Sequence, residues 1–331
     1  MTSILALTNS YDDSHIEAVQ SHIDHDVHTF TRVDVDRIVR GEHQILWDYQ
    51  SMRVLLVTEK ETIRLDEVDS VWFRKPFGFG SNYGFVESIK DPVQRTVIEK
   101  EMRDLVDSLC AILADKFWLN HPQALSRARL KPYQLHLARE VGLPLPDTVI
   151  TNDPDAGRKF CDEGPTVFKP LTVPQLEYGD TRYSVETTLM TDELINSLHL
   201  IKSQPVILQR YIEKSSELRV TCVGDQLFVA RQMLNGDKST NKVVDWRILQ
   251  GTKDSTYDMF ELPTGITDKV SKLMRKLDLG FATMDFAVDK AGECFFLEVN
   301  PNGQWLGYTD EIGLPAAASI ARCLVHKTRH L

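Results

Sequence analysis

FATMDFAVDKAGECFFLEVNPNGQW, Phe281 to Trp305, reads as a β-hairpin that carries three oxygen-bearing side chains. Two apolar runs flank the short connection DKAGE (Asp289–Glu293), with Val288 before it and Phe295 after it. Asp285 lies on the first strand, Glu298 and Asn300 on the second. Pairing symmetric about Ala291-Gly292 sets Asp285 opposite Glu298. Alternation along the second strand aims Glu298 and Asn300 at one face, and Leu297 and Val299 at the other. Two carboxylates and an amide carbonyl then share one surface. That is the hard-oxygen set Mg²⁺ prefers, with positions left open for substrate phosphates. The same spacing also fits a hairpin with acids on its wet face, and Asn300-Pro301-Asn302-Gly303 fits a plain turn.

The chain has 331 residues, enough for two or three lobes around large cores. Hydrophobic content of 42% and charged content of 26% are ordinary for a globular protein. A net charge of −10 argues against general nucleic-acid binding, which needs a basic footprint, and leaves a local basic surface open. Cys110, Cys161, Cys222, Cys294 and Cys323 are scattered, without CxxC spacing. They point to a reducing compartment, with no zinc site and no disulfide framework. MTSILALTNSYDD at the start lacks a basic region and does not read as a signal peptide. No apolar run approaches membrane-span length, so no membrane partner is expected and the cytoplasm is the expected location.

In the N-terminal lobe, Ile4–Thr8 reads as a buried strand, followed by a helix from Asp13 with Ile16, Val19 and Ile23 on one stripe. Thr29–Val33, Arg53–Val57 and Val71–Arg74 read as further strands, which together with helices predict an α/β layer with a parallel or mixed sheet. In WFRKPFGFG (Trp72–Gly80), Arg74 and Lys75 end a strand beside Pro76. Either they meet an anion or carboxylate, or Trp72 and Phe73 are core and the cations are solvated. Asp91-Pro92 caps a long helix whose seam is Ile98, Met102, Leu105, Leu109 and Ile112, a core or subunit-interface pattern.

Arg127, Arg129, Lys131 and Arg139 then occur with no acid before Glu140, a basic run suited to phosphates or an acidic substrate. Lys131-Pro132 opens a helix that Gly142 ends. A strand follows within Leu143–Thr151, and Thr166–Thr172 holds a strand ending in Lys169-Pro170. Lys169 is either a phosphate ligand on a long stem or a surface lysine. Thr191 caps a helix with Leu194, Leu198 and Ile201 inward, and Pro205–Ile212 is an apolar strand. Leu218–Val223 and Gln226–Arg231 form a hairpin around Gly224-Asp225. A literal two-residue turn puts Arg219 and Arg231 on opposite faces; a bulge is needed to bring both to one site. Thr267–Leu279 is amphipathic with Gly280 as its stop, and Pro315 opens the last helix. Asn235–Asn241 and Thr252–Tyr257 read as mobile loops.

The order of these elements resembles the ATP-grasp fold. The matching series is the helix-opening lysine in KPYQLHLAREVGLPLPDT, the strand-end lysine in VFKP, the strand ILQRYI, the arginine in ELRV, and Asp285 ahead of LEVN. The resemblance covers residues 119 to 331 with a pre-ATP-grasp α/β lobe before it. It implies a division into residues 1–118, 119–202 and 203–331, the last carrying the Mg²⁺-binding hairpin. It also implies roles. Lys131 and Lys169 contact ATP phosphates, and Gln209, Arg210, Tyr211 and Ile212 form the hinge against adenine. Glu213 or Lys214 lies near the ribose, while Arg219 and Arg231 neutralise the γ-phosphate or acyl-phosphate. Asp285, Glu298 and Asn300 hold Mg²⁺. The lid departs from the family's glycine-rich form, since Pro170–Met190 holds a single Gly179.

VWFRKPFGF (Val71–Phe79) and FLEVNPNGQWLGYTDEIGLPAAASIA (Phe296–Ala321) resemble a narrower group, the graspetide macrocyclases of microviridin, plesiocin and thuringinin type. Membership implies that a precursor peptide's Asp or Glu side chain is activated by ATP and joined to a Ser or Thr hydroxyl, or to a Lys amine. The expected partner is a leader followed by an acidic core, which Arg127, Arg129, Arg74 and Lys75 suit by charge, and the expected assembly is a homodimer. Two other readings compete: a ligase that adds amino acids to a protein or peptide terminus, and an ATP-dependent peptide-binding module without catalysis. The full set of Lys131, Lys169, Asp285, Glu298 and Asn300 weighs against the last.

Overall fold

SILALT (Ser3–Thr8) is buried along almost its whole length, as a strand covered on both faces must be. In the computed structural model it pairs in parallel with Thr29–Asp34 on one side and Ser70–Phe73 on the other, and Phe117–Leu119 completes the sheet. All residues are described except 60, 79–83, 87, 173–174, 179–180, 186, 235–254 and 331. The parallel-sheet expectation holds for this layer. Arg53–Val57 belongs elsewhere, between Gln44–Asp48 and Thr62–Arg64 in a small antiparallel sheet. Its connection to Gln44–Asp48 is too short for the crossover that a parallel pair needs.

Asp91 caps the helix Pro92–Ile112 by accepting a hydrogen bond from the Gln94 amide. Leu109 and Cys110 are buried, with Ile98 and Met102 packed beside them, but Ile112 is 47% exposed and Leu113 takes its place in the core. A 3.6-residue turn drifts away from a strict four-three step, so the seam leaves Ile112 on the outside.

Besides the short hairpin of Gln175–Tyr178 and Thr181–Ser184, two antiparallel sheets follow. The smaller runs in the order Thr188–Leu189, Thr166–Lys169, Val206–Arg210, Thr148–Thr151. The larger has five strands, in the order Ser255–Met259, Gln226–Leu234, Lys214–Val223, Phe281–Asp289, Cys294–Asn300. One face of the larger sheet presents Leu218, Val220, Met284 and Phe286 to the helix Thr264–Leu277, which buries Val270, Leu273, Met274 and Leu277. The helix Lys131–Glu140 packs into the same core. The final helix, Ala316–His326, joins Phe281 and Trp305 to Ile4, Ala6 and Trp72, which fixes the large sheet to the N-terminal layer.

Two expectations are corrected here. Residues Ser255–Met259 form an edge strand rather than a loop, because they complete the sheet beside Gln226–Leu234; Asn235–Asn241 lies outside the described residues. The helix before Gly280 ends at Asp278, which takes the left-handed conformation itself. Gly280 serves packing instead, since a Cβ there would meet the Leu119 side chain at 2.7 Å.

Candidate active site

Register puts Arg219 opposite Asp285 and Asp285 opposite Glu298, so three adjacent strands contribute one charged row on the face away from the Leu218 core. The Asp285–Glu298 pairing expected from sequence is present, for a partly different reason. Nearer the turn, Phe286 pairs with Phe296, and the register slips between Asp285 and Phe286. Leu297 is the extra residue, a β-bulge. It lines the cleft instead of pointing away from it, while Val299 enters the core as expected. The correction follows from the bulge, which breaks strict alternation at one position.

Each acid in the row has a cation. Arg219 pairs with Asp285, and Lys131 Nζ lies 3.6 Å from Glu298 and 3.3 Å from the Pro170 carbonyl oxygen. Burial opposes charge on Arg219, but the adjacent Asp285 outweighs it and raises the guanidinium pKa above its ordinary value. Asn300 stands opposite Thr283, exposed, with its Oδ1 3.3 Å from the Asn302 amide. Among the described residues no group of three His, Cys, Asp or Glu is gathered as for a closed metal site. Two carboxylates and one amide oxygen are the available donors, and such a set leaves positions free. That fits Mg²⁺ held partly by substrate oxygens.

Across from this row, the two antiparallel sheets enclose a cleft lined by Lys169 and Gln209 from the smaller sheet, Tyr211 and Ile212 from the connection, and Lys214, Ala287 and Leu297 from the larger. Lys169 Nζ donates to Gln209 Oε1 at 2.8 Å, and Gln209 Nε2 donates to Thr148 at 2.9 Å. Burial lowers the Lys169 pKa to about 8; Glu298 opposes this, while Lys131 and Lys214 push further down. The strand Val206–Arg210 therefore brings the expected hinge to the cleft, with differences among its residues. The Arg210 guanidinium turns away to the Gly164 carbonyl (2.6 Å), Thr166 (2.9 Å) and the Phe160 ring (4.4 Å). The Tyr211 amide donates to the Pro165 carbonyl, Glu213 pairs with Lys290 near solvent, and Lys214 pairs with Glu217.

Three sequence expectations meet a different geometry. The turn at Gly224-Asp225 joins Val223 directly to its partner Gln226 with no bulge, so Arg231 falls opposite Leu218 and away from Arg219. It forks with Asp258 at 2.9 and 2.5 Å and packs over Phe260, outside the charged row. Arg74, expected to face a peptide, is fully buried. Its guanidinium binds Asp12 at 2.6 Å, the Gly303 carbonyl at 2.8 Å and Gln304 Oε1 at 2.7 Å. The two stretches that narrowed the family resemblance thus touch: WFRKP supplies the plug and NPNGQW the socket. Lys75 has positive φ, and burial, with Arg74 adding, lowers its pKa to about 6. Arg127 and Arg129 are exposed on and after the short helix Pro122–Ala128.

Sequence reading missed Gln134 and Asn120. Gln134, buried three residues after Lys131, donates to the Val299 carbonyl at 2.7 Å and accepts from the Val299 amide at 2.9 Å. It completes the open edge of the hairpin and ties the Lys131 helix to the Glu298 strand. Its only signal was a polar residue on the inward stripe of an amphipathic helix. Asn120 accepts from the Gly280 and Phe281 amides and donates to the Phe281 and Pro301 carbonyls, pinning the hairpin base. No pattern in the sequence pointed to it.

A family model described as the MvdD pre-ATP grasp domain matches residues 3–126. A search of curated proteins finds no match. Among solved structures, the macrocyclase MdnC of Microcystis aeruginosa MRC, bound with precursor peptide MdnA, is 26% identical with a TM-score of 0.81, over 99% of this chain and 100% of that one. The macrocyclase MdnB from the same source is 28% identical with a TM-score of 0.75, over 98% of this chain and 99% of that one. A RiPP-associated ATP-grasp ligase of Chryseobacterium gregarium, in complex with ADP and a leader and core peptide, reaches a TM-score of 0.84 at 23% identity, covering 100% and 99%. The architecture is the ATP-grasp ligase fold behind an N-terminal pre-ATP-grasp domain, and the resemblance to the peptide-maturing ATP-grasp ligases holds over the full length.

Proposed function

We propose that this chain, an ATP-grasp ligase by fold, macrocyclises a ribosomally made precursor peptide using ATP. The observation that carries the reading is the Arg219–Asp285–Glu298–Lys131 row facing the Lys169 cleft, in a chain similar end to end to peptide macrocyclases. A side-chain carboxylate oxygen of Asp or Glu attacks the γ-phosphorus, and the bond to ADP breaks. A Ser or Thr hydroxyl, or a Lys amine, then attacks the acyl carbon, loses its proton, and phosphate leaves. The peptide loses one water per crosslink while ATP becomes ADP and phosphate.

In this reading Lys131 and Lys169 hold phosphate oxygens, and the Gln209–Ile212 backbone and Leu297 border the adenine. Arg219 faces the charge that develops at phosphorus, where fixed cations in a low-dielectric cleft act most strongly. Asp285, Glu298 and Asn300 would hold Mg²⁺, which when bound supplies charge neutralisation on the phosphates. Gln134 and Asn120 position these groups through the backbone. We take the division at residues 118 and 202, a cytoplasmic location and a homodimer as parts of the same proposal. Val93, Val97 and Ile112, exposed on one long helix, support a self-contact, and no helix among the described residues is long and apolar enough to cross a membrane. An acidic core peptide would meet the exposed Arg127 and Arg129.

The test is incubation with a precursor peptide encoded beside this chain, ATP and Mg²⁺, read by mass spectrometry. Loss of one water per crosslink is expected. A gain of amino-acid residues would replace macrocyclisation with terminal ligation.

A further inference from the structure

A second polar row lies beside the charged one. Register sets Tyr257 opposite Gln232 and Gln232 opposite Glu217, so all three share the face of Arg219. With Arg219, Asp285 and Tyr308 they line a narrow pocket. Most of its groups are answered: Glu217 by Lys214, Asp285 by Arg219, and the Tyr308 hydroxyl by the Gln304 carbonyl at 2.9 Å. Two are not. The Gln232 amide nitrogen and the Tyr257 hydroxyl make no hydrogen bond among the described residues, although Gln232 is only 4% exposed. Native interiors rarely leave a buried donor without an acceptor, so a pair of them in one pocket marks a place where water or a ligand supplies one.

We propose that Gln232 and Tyr257 form the subsite for the side-chain carboxylate that the chain activates, with Arg219 supplying the positive charge; this rests on the ligase reading above. The chemistry of the unmet groups selects the ligand. An amide nitrogen only donates, so an ammonium group, which has no lone pair to offer, leaves it unmet. A hydroxyl is a poorer match, with only two lone pairs for an amide, a phenol and a guanidinium. A carboxylate offers about four lone-pair sites and a charge, and can take all three donors. Burial, with Glu311 and Tyr308 adding, raises the Tyr257 pKa, so its hydroxyl keeps the proton it donates. The row also adjoins Arg219 and Asp285, so a carboxylate held there lies beside the groups assigned to the phosphates.

The probe is N-acetyl-glutamate N-methylamide, compared with its glutamine counterpart, titrated into the full chain with ADP and Mg²⁺ and followed by NMR. The wild type is expected to bind the carboxylate at least about tenfold more tightly than the amide, the scale of hydrogen bonds to a charged group. Tyr257→Phe and Gln232→Leu should each remove about tenfold of that preference while ADP affinity stays at the wild-type value. Should Gln232→Leu lower the melting temperature, Tyr257→Phe carries the test, since it deletes one oxygen at a half-buried position. No carboxylate preference in the wild type, or an undiminished one in Tyr257→Phe, overturns the subsite. Preference without ATP-dependent loss of water from a precursor would instead overturn the ligase reading and support the subsite.

Discussion

Arg219 and Arg231 sit on the two strands of one hairpin and end in opposite circumstances. Arg219 stands over Asp285 on the cleft face, half-buried, and its charge is held by that carboxylate. Arg231 lies on the other face at the sheet's margin, where Asp258 meets it close to solvent. Residue type is the same; strand parity selects the face of each, and Arg231 lies one strand nearer the sheet's edge. In a desolvated row a unit charge acts strongly on its neighbours, whereas at the margin water and salt screen it. The face of a strand therefore decides which arginine can serve phosphate chemistry.

The strongest way to break this contrast is within the row. Arg219→Ala removes the cation and leaves Asp285 buried without it, and turnover should fall by about a hundredfold to a thousandfold or more. Glu298→Gln and Asn300→Ala should likewise abolish turnover with the fold intact. Circular dichroism and ADP release measured on the same samples separate chemistry from unfolding. Normal ATPase and ligase rates in Glu298→Gln would remove the metal assignment.

A third arginine sharpens the comparison on stability rather than rate. Arg74 is enclosed with Asp12 and the Gly303 and Gln304 oxygens. Breaking a buried pair from one side costs about 3–5 kcal/mol, so Arg74→Met should lower the melting temperature sharply. Arg127→Glu and Arg129→Glu, both at exposed positions, should leave it nearly unchanged and weaken binding of an acidic core peptide. A wild-type melting curve for Arg74→Met would deny the plug-and-socket role. The socket has its own constraint. A Cβ at Gly303 would overlap the Thr283 hydroxyl, so Gly303→Ala should cost about 1–3 kcal/mol and Thr283→Ala should recover part of it.

How much of this was legible in the sequence depends on range. The hairpin, the Asp285–Glu298 pairing, the strand-end Lys169 and the helix opened by Lys131 follow from local periodicity and turn residues, and the structure has each of them. The Leu297 bulge was not legible, because one extra residue in a strand has no compositional mark. The burial of Arg74 was not legible either. Its partners Asp12 and Gly303 lie far away in the chain, and local sequence does not say whether a cation at a strand end meets solvent or another lobe. Parity did foretell the separation of the two arginines; only the family resemblance drew them together.

Across the cleft, pH offers a gentler probe of the same electrostatics. Burial depresses Lys169 to about 8, below an ordinary lysine. Its protonated form is the one that attracts phosphates, so that attraction is complete below about pH 8 and declines as pH rises through it. ADP affinity measured without added metal should fall by about tenfold between pH 7 and 9, the worth of one charge-assisted hydrogen bond. Lys169→Arg, which stays charged, should flatten the profile. An unchanged slope in that variant would move the titration to another group.

The smallest expected effect tests the comparison from its weak side. Arg231 and Asp258 form a forked pair at distances that would be strong if desolvated, but both side chains are partly open to water. Exposed pairs of this kind contribute about 0–1 kcal/mol, because screening and side-chain entropy offset the attraction. Arg231→Ala should shift the melting temperature by a few degrees at most and leave turnover within a few-fold of wild type. Asp258→Ala should do the same, since neither residue touches the row. A collapse of turnover in Arg231→Ala alone would mean that the edge strand rearranges on substrate binding and delivers this arginine to the phosphates. If both variants lost turnover equally, the pair would matter as a brace for the edge strand, and Tyr257 on that strand would be the residue to examine next.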